Sequence, residues 1–118
     1  MAPLNYPTQK QLHMEIDSNW LDANGHLKTR HDWSTTVAEA LAATDGIKLT
    51  ADHWQVIKAV QTIYDETGDT PPMRLLIKLL RQRLSVDIDS RFLYRLFPDG
   101  PVRLASKYAG LPKPKHCM

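Results

Sequence analysis

Between Leu49 and Asp69 the apolar residues fall at helical intervals, with Trp54, Ile57, Val60 and Tyr64 on one stripe, and the spacing predicts a helix. Thr50 stands where a cap is needed, Asp52 favours the first turn through the helix dipole, and Gly68 supplies the stop. A shorter stripe, Trp33, Val37, Ala40 and Leu41, predicts a preceding helix that opens at Asp32 and ends at Gly46. Downstream, Thr70 and Pro71 open a third helix with proline at its first position. Leu75, Leu76, Leu79 and Leu80 form its apolar face, and Arg74, Lys78 and Arg81 share another. The stretch "DSRFLYRLF" predicts a short fourth helix, capped by Asp89 or Ser90 and broken by the turn "FPDGP". A fifth runs from Pro101 to Tyr108, with Gly110 after it.

Ahead of these helices, residues 12 to 28 alternate weakly. Asn24-Gly25 between Trp20-Leu21 and His26-Leu27 predicts a two-residue hairpin turn. The expected architecture is mainly α: a compact helical domain of about five helices, a small N-terminal β-hairpin and a flexible C-terminal arm. One domain covers residues 1–118, and at that length it buries roughly two thirds of its unfolded surface. Within it, residues 1–16 form a poorly defined N-terminal segment and 111–118 a mobile arm. Pro112 and Pro114 bias the arm toward an extended path of about 3.1 Å per residue, so that it reaches roughly 25 Å. With the core placed upstream of Gly110, removal of residues 111–118 is expected to leave the thermal midpoint nearly unchanged.

Charge changes this picture more than composition does. Residues 1–70 carry five Lys or Arg against ten Asp or Glu, and residues 71–118 carry ten against three, so a net −5 is followed by a net +7. The basic second half suits an anionic partner, whether an acidic protein surface, a phosphate backbone or a small anion, although solvated helix faces account for it equally well. The chain has no apolar run of membrane-spanning length, no signal-peptide core in "MAPLNYPTQKQLH" and only one cysteine. A cytoplasmic, reducing setting is therefore expected, with no internal disulfide.

That single cysteine, Cys117, is the penultimate residue, far from any predicted core, with Lys113, Lys115 and His116 just before it. Only the thiolate is nucleophilic, and at an ordinary pKa about 3% of it is present at pH 7. Adjacent positive charge raises that fraction, within the limits that solvent screening sets. The plain alternative is an incidental surface cysteine. The histidines at 13, 26, 31, 53 and 116 show no helical i, i+4 pair and no second cysteine beside them, so no metal site is expected. No glycine-rich phosphate loop and no nucleophile elbow is present, which argues against a deep, self-contained active site. The rival use of the basic half is a helix-turn-helix built on the two short helices around "FPDG", binding nucleic acid through the last one.

The segments "DW" at 32 to 33, "VAEALA" at 37 to 42, "LTADHW" at 49 to 54, Tyr64, Pro72 with Arg74, "LYRLFPDGP" at 93 to 101 and "AGLPKPKHC" at 109 to 117 resemble the DsrC/TusE family of sulfur-carrier proteins, from about Asp22 to the C-terminus. The resemblance implies a helical domain with a front hairpin and an arm whose penultimate cysteine, here Cys117, carries sulfur. Relatives that act with dissimilatory sulfite reductase have a second arm cysteine eleven residues earlier. Ser106 stands there in this chain, which places the resemblance on the TusE-like side.

That side implies a TusBCD-like donor complex and an MnmA-like acceptor thiouridylase, alone or with bound tRNA, acting in 2-thiolation of the wobble uridine. A related carrier in dissimilatory sulfur metabolism is the other function the family offers. The resemblance further implies a sulfurtransferase without cofactor or metal, in which Cys117 is the persulfide carrier. Lys113, Lys115 and His116 would stabilise the thiolate and persulfide or guide docking, and Arg74 would belong to the partner surface.

Overall fold

The computed structural model describes residues 16–115; His116, Cys117 and all but the last residue of the 1–16 segment lie outside the described residues. Five helices follow one another: α1 (Thr35–Thr44), α2 (Ala51–Thr67), α3 (Met73–Arg83), α4 (Ser90–Leu96) and α5 (Pro101–Tyr108). Their boundaries follow local chemistry. Ser34 accepts from the Val37 N–H at 3.1 Å and opens α1, so the helix starts after Trp33, which lies in extended backbone beyond a 3-10 turn at Arg30–Asp32. His53 closes the start of α2: its Nδ1 accepts from the Thr50 N–H at 3.0 Å, and its Nε2–H donates to the Leu96 carbonyl at 2.8 Å. The two partners define the tautomer, and the ring stands edge-on to Phe97 at 5.2 Å, so His53 is a structural residue that ties α2 to α4.

The third helix differs from the sequence expectation at its start. It begins at Met73 after Pro72, because a residue before proline is steered out of helical conformation, and Pro72 does this to Pro71. Its leucines also divide. Leu76 and Leu80 are fully buried, Leu79 is half-buried, and Leu75 is 44% exposed. Of the two candidate caps for α4, Asp89 is the one used, accepting from the Phe92 N–H at 2.9 Å.

The expected hairpin is present in its smallest form, one antiparallel bridge between Leu21 and Leu27 with Lys28 N–H donating to Trp20 O at 2.7 Å. Its turn is not the two-residue one. Asp22 and His26 pair through the backbone, Gly25 N–H returns to Asp22 O at 3.0 Å, and only Gly25 takes a positive φ, of 82°. Asn24 therefore keeps an ordinary conformation inside a three-residue loop. The Asp22 carboxylate holds that loop by accepting from the N–H groups of Asn24 and His26.

The core forms around α5, on which α1, α2, α3 and α4 all pack. Seven of its eight residues are buried, Ser106 and Lys107 among them. A helix enclosed on all sides cannot be laid into a DNA groove, so the helix-turn-helix reading fails on geometry. The same centre corrects the expectation for the arm. Leu111 is 1% exposed and belongs to the core, and Pro114 is buried, so the chain stays against the body for four residues past Gly110. Removal of residues 111–118 is now expected to lower the melting temperature substantially. Deleting a buried leucine costs about 2–5 kcal/mol, a drop on the order of 10 °C for a domain of this size. Calorimetry of the 1–110 chain beside the full chain measures it, and equal midpoints would contradict the burial of Leu111.

Candidate functional site

The site is the place where the arm leaves the core, and it starts with the way α5 ends. Gly110 sits at φ 78°, Leu111 N–H reaches back to Ser106 O at 3.0 Å, and Gly110 N–H reaches Lys107 O at 3.3 Å. This six-to-one and five-to-two pairing satisfies the last helical carbonyls and turns the chain sharply. Three side chains from distant segments then take the carbonyls of the turn. Trp33 Nε1–H donates to Tyr108 O at 2.7 Å, Gln61 Nε2–H to Ala109 O at 2.9 Å, and His26 Nδ1–H to Leu111 O at 2.9 Å. The hairpin, the residue ahead of α1 and the middle of α2 therefore meet at the arm's root. With each carbonyl held from a different direction, the exit direction of the chain is fixed.

His26 is fully enclosed, and its Nε2 has no hydrogen-bond partner among the described residues. Burial pushes its pKa below the ordinary histidine value, with Lys107 and Arg103 of α5 acting in the same direction. The Leu111 carbonyl and Asp22 act against them. The ring is therefore neutral at pH 7 and holds Leu111 as a neutral donor. Below about pH 6.5 the unfolded chain binds a proton at this position that the folded chain resists. Stability is thus fully present above that pH and is lost as the pH falls toward the lower folded value. Thermal melts between pH 7 and 5 should show this slope. His26→Asn, whose amide can donate to Leu111 O without titrating, should flatten it, and an unchanged slope would remove His26 as its cause.

A second polar cluster fixes the other side of α5. Asp45, just past the end of α1, accepts from Lys107 Nζ at 3.0 Å and from Tyr108 OH at 2.7 Å through one carboxylate oxygen. Burial, reinforced by the Asp45 carboxylate, pushes the Tyr108 hydroxyl far above its ordinary range, so it stays protonated and donates to Asp45. An anionic group at a helix C-terminus is disfavoured by the dipole, and the Lys107 ammonium offsets that here.

The structure separates the residues singled out in the sequence. Lys113 and Lys115 are exposed on the arm on either side of buried Pro114, whereas Arg74 is exposed in the first turn of α3, with no hydrogen bond or ion pair joining it to them among the described residues. Ser106 is not on the arm. It lies within α5 with no exposed surface, its Oγ donating to Val102 O at 2.7 Å and standing 3.1 Å from Thr70 Oγ1. Sequence reading missed the three donors at the arm's root, whose partners lie 48 to 85 residues away. Only Gln61 left a signal, being a polar residue four places after Ile57 and three before Tyr64, on the face that otherwise buries.

Residues 13–118 match the DsrC-like protein family. The chain belongs to this family. The Sulfurtransferase TusE of Yersinia pseudotuberculosis is 46% identical over 98 residues, 82% of this chain and 91% of that protein. The Sulfurtransferase TusE of Buchnera aphidicola is 41% identical over 110 residues, 92% of this chain and 94% of its own length. Among solved structures, the solution structure of Allochromatium vinosum DsrC superposes with a TM-score of 0.75 at 37% identity, covering 83% of this chain and 88% of that one. The oxidized gamma-subunit of the dissimilatory sulfite reductase from Archaeoglobus fulgidus gives 0.69 at 36% identity, covering 83% and 90%. The DsrC-like fold is thus the fold of this chain, and sulfur transfer is the activity named for its TusE relatives. No helix among the described residues is long and apolar enough to cross a membrane.

Proposed function

We propose that this DsrC-like protein relays sulfur in the cytoplasm, with Cys117 as the carrier. The observation that carries the reading is the position of the chain's one thiol, three residues beyond an arm root anchored by Leu111 and Pro114. Measured from Pro114, three residues of chain span no more than about 11 Å. A donor or acceptor cysteine therefore has to come within that covalent reach of Pro114.

The transfer is an exchange at sulfur. The Cys117 thiolate attacks the outer sulfur of a donor persulfide. The new S–S bond forms as the donor's S–S bond breaks, and the bonding pair leaves on the donor cysteine as thiolate. Cys117 becomes a persulfide, and an acceptor thiolate repeats the step. One sulfur atom moves at each stage, and no external oxidant or reductant enters. Lys113 and Lys115, and His116 beside the thiol, favour the anionic forms. The donor in this reading is a TusBCD-like complex and the acceptor an MnmA-like thiouridylase with bound tRNA, the product being the 2-thiolated wobble uridine.

Intact mass of the full chain after exposure to a persulfurated donor complex tests it. A gain of one sulfur atom, lost again on adding the acceptor, is the expected result. A chain that gains none is not a carrier.

A further inference from the structure

An apolar groove of about 740 Å³ runs along α3, with Pro72, Leu75 and Ile77 among its lining and Arg74, Lys78 and Arg81 beside them. We infer that this groove is the docking site for an acidic amphipathic helix of the sulfur-donor protein, an assignment that rests on the sulfur-relay reading above. Its charged lining is all basic. Arg74 and Lys78 lie four residues apart and Lys78 and Arg81 three, spacings at which like charges destabilise an isolated helix. Arg74 also sits in the first turn, at the positive end of the dipole, where no acidic residue offsets it. Among the described residues no carboxylate pairs with these three, whereas Arg83 pairs with Glu66 at 2.6 Å. Leu75 adds a 44% exposed aliphatic side chain in the middle of this charge. Arg81 is engaged, its Nε–H donating to the Ile88 carbonyl at 2.6 Å, whereas Arg74, Lys78 and Leu75 are placed to gain from acidic and aliphatic side chains.

The occupant follows from the same chemistry. From Pro72 to Arg81 the stripe is roughly 14 Å long at 1.5 Å per residue, the length of under three turns of a partner helix. No aromatic residue lines it for base stacking, so a nucleic acid fits poorly. A second copy would set basic rim against basic rim across a two-fold axis. Of the two partners in the sulfur-relay reading, the acceptor has to present positive charge to tRNA phosphates, so the basic groove is assigned to the donor. The groove is also joined to the arm. Thr70, two residues before Pro72, faces the Ser106 hydroxyl, and the Ser106 carbonyl holds the Leu111 N–H, so a protein seated on α3 is registered to the arm's root.

The test uses the full chain carrying Leu75→Glu and Lys78→Glu together, with sulfur loading followed by intact mass. Loading from glutathione persulfide, which needs no docking, should match wild type. Loading from the persulfurated donor complex should fall about tenfold or more at low salt, with the gap between variant and wild type narrowing as salt rises. Lys78→Arg should behave as wild type. Equal loading of variant and wild type by the donor complex overturns the assignment. So does a defect confined to delivery to the acceptor, to tRNA binding or to self-association. If wild type takes sulfur from neither source, the relay reading itself fails, and the groove loses the partner assigned to it.

Discussion

Cys117→Ser should take up no sulfur from any persulfide while melting within about 2 °C of wild type, as expected of a carrier thiol that lends the core nothing, for which a substitution changes stability by no more than about 0.5 kcal/mol. A serine hydroxyl is not appreciably ionised near neutral pH, and the chain holds no second thiol that could substitute. The loss should be complete. Reporting loading and melting together makes the outcome informative. Lost loading with an unchanged midpoint identifies a carrier thiol, a large fall in midpoint identifies a structural one, and retained loading would place the sulfur elsewhere and end the proposal.

Whether residues show their role in a one-dimensional sequence depends on how local that role is. The helices were legible because their causes lie within a few residues: a stripe at three and four, a cap such as Asp89, a glycine such as Gly68. Cys117 was legible through its position and neighbours. What the sequence hid was long-range or a choice between local rules. Trp33 continues the periodicity of α1, yet it belongs to the arm's root, because Ser34 and not Asp32 caps the helix and leaves the indole free to reach Tyr108. Pro71 reads as a helix opener until Pro72 is weighed. Leu111 looks like the first residue of a solvated tail, since proline and lysine follow it. Only the turn at Gly110, which swings it beneath His26, makes it core. Arg74 was picked out through a family resemblance, whereas its strain within α3 appears only when the helix start is known.

The arm's root gives the second large effect, through Gly110→Ala. Two penalties combine there. At φ 78° an alanine costs about 1–2 kcal/mol relative to glycine, because its Cβ approaches the following carbonyl. The added Cβ would also stand 2.6, 2.7 and 2.8 Å from Cδ1, Cγ and Cβ of Trp33, distances that force a shift. Trp33 cannot yield freely, because its indole N–H holds the Tyr108 carbonyl at 2.7 Å; moving it leaves a partly buried acceptor unpaired, at a further cost of about 1–3 kcal/mol. Gly68 is the internal control. Its φ is 84°, but a Cβ there meets nothing within 4 Å, so Gly68→Ala carries the backbone term alone. Gly110→Ala should therefore be less stable than Gly68→Ala by about 2 kcal/mol or more, a difference in midpoint of roughly 5–10 °C. If the arm's root positions the thiol, Gly110→Ala should also load more slowly from the donor complex at temperatures where it remains folded, while a small alkylating reagent still reacts with its cysteine as with wild type. Equal destabilisation by the two alanines would mean that Trp33 moves aside without cost, and the root would then not be the rigid exit through which Cys117 is presented.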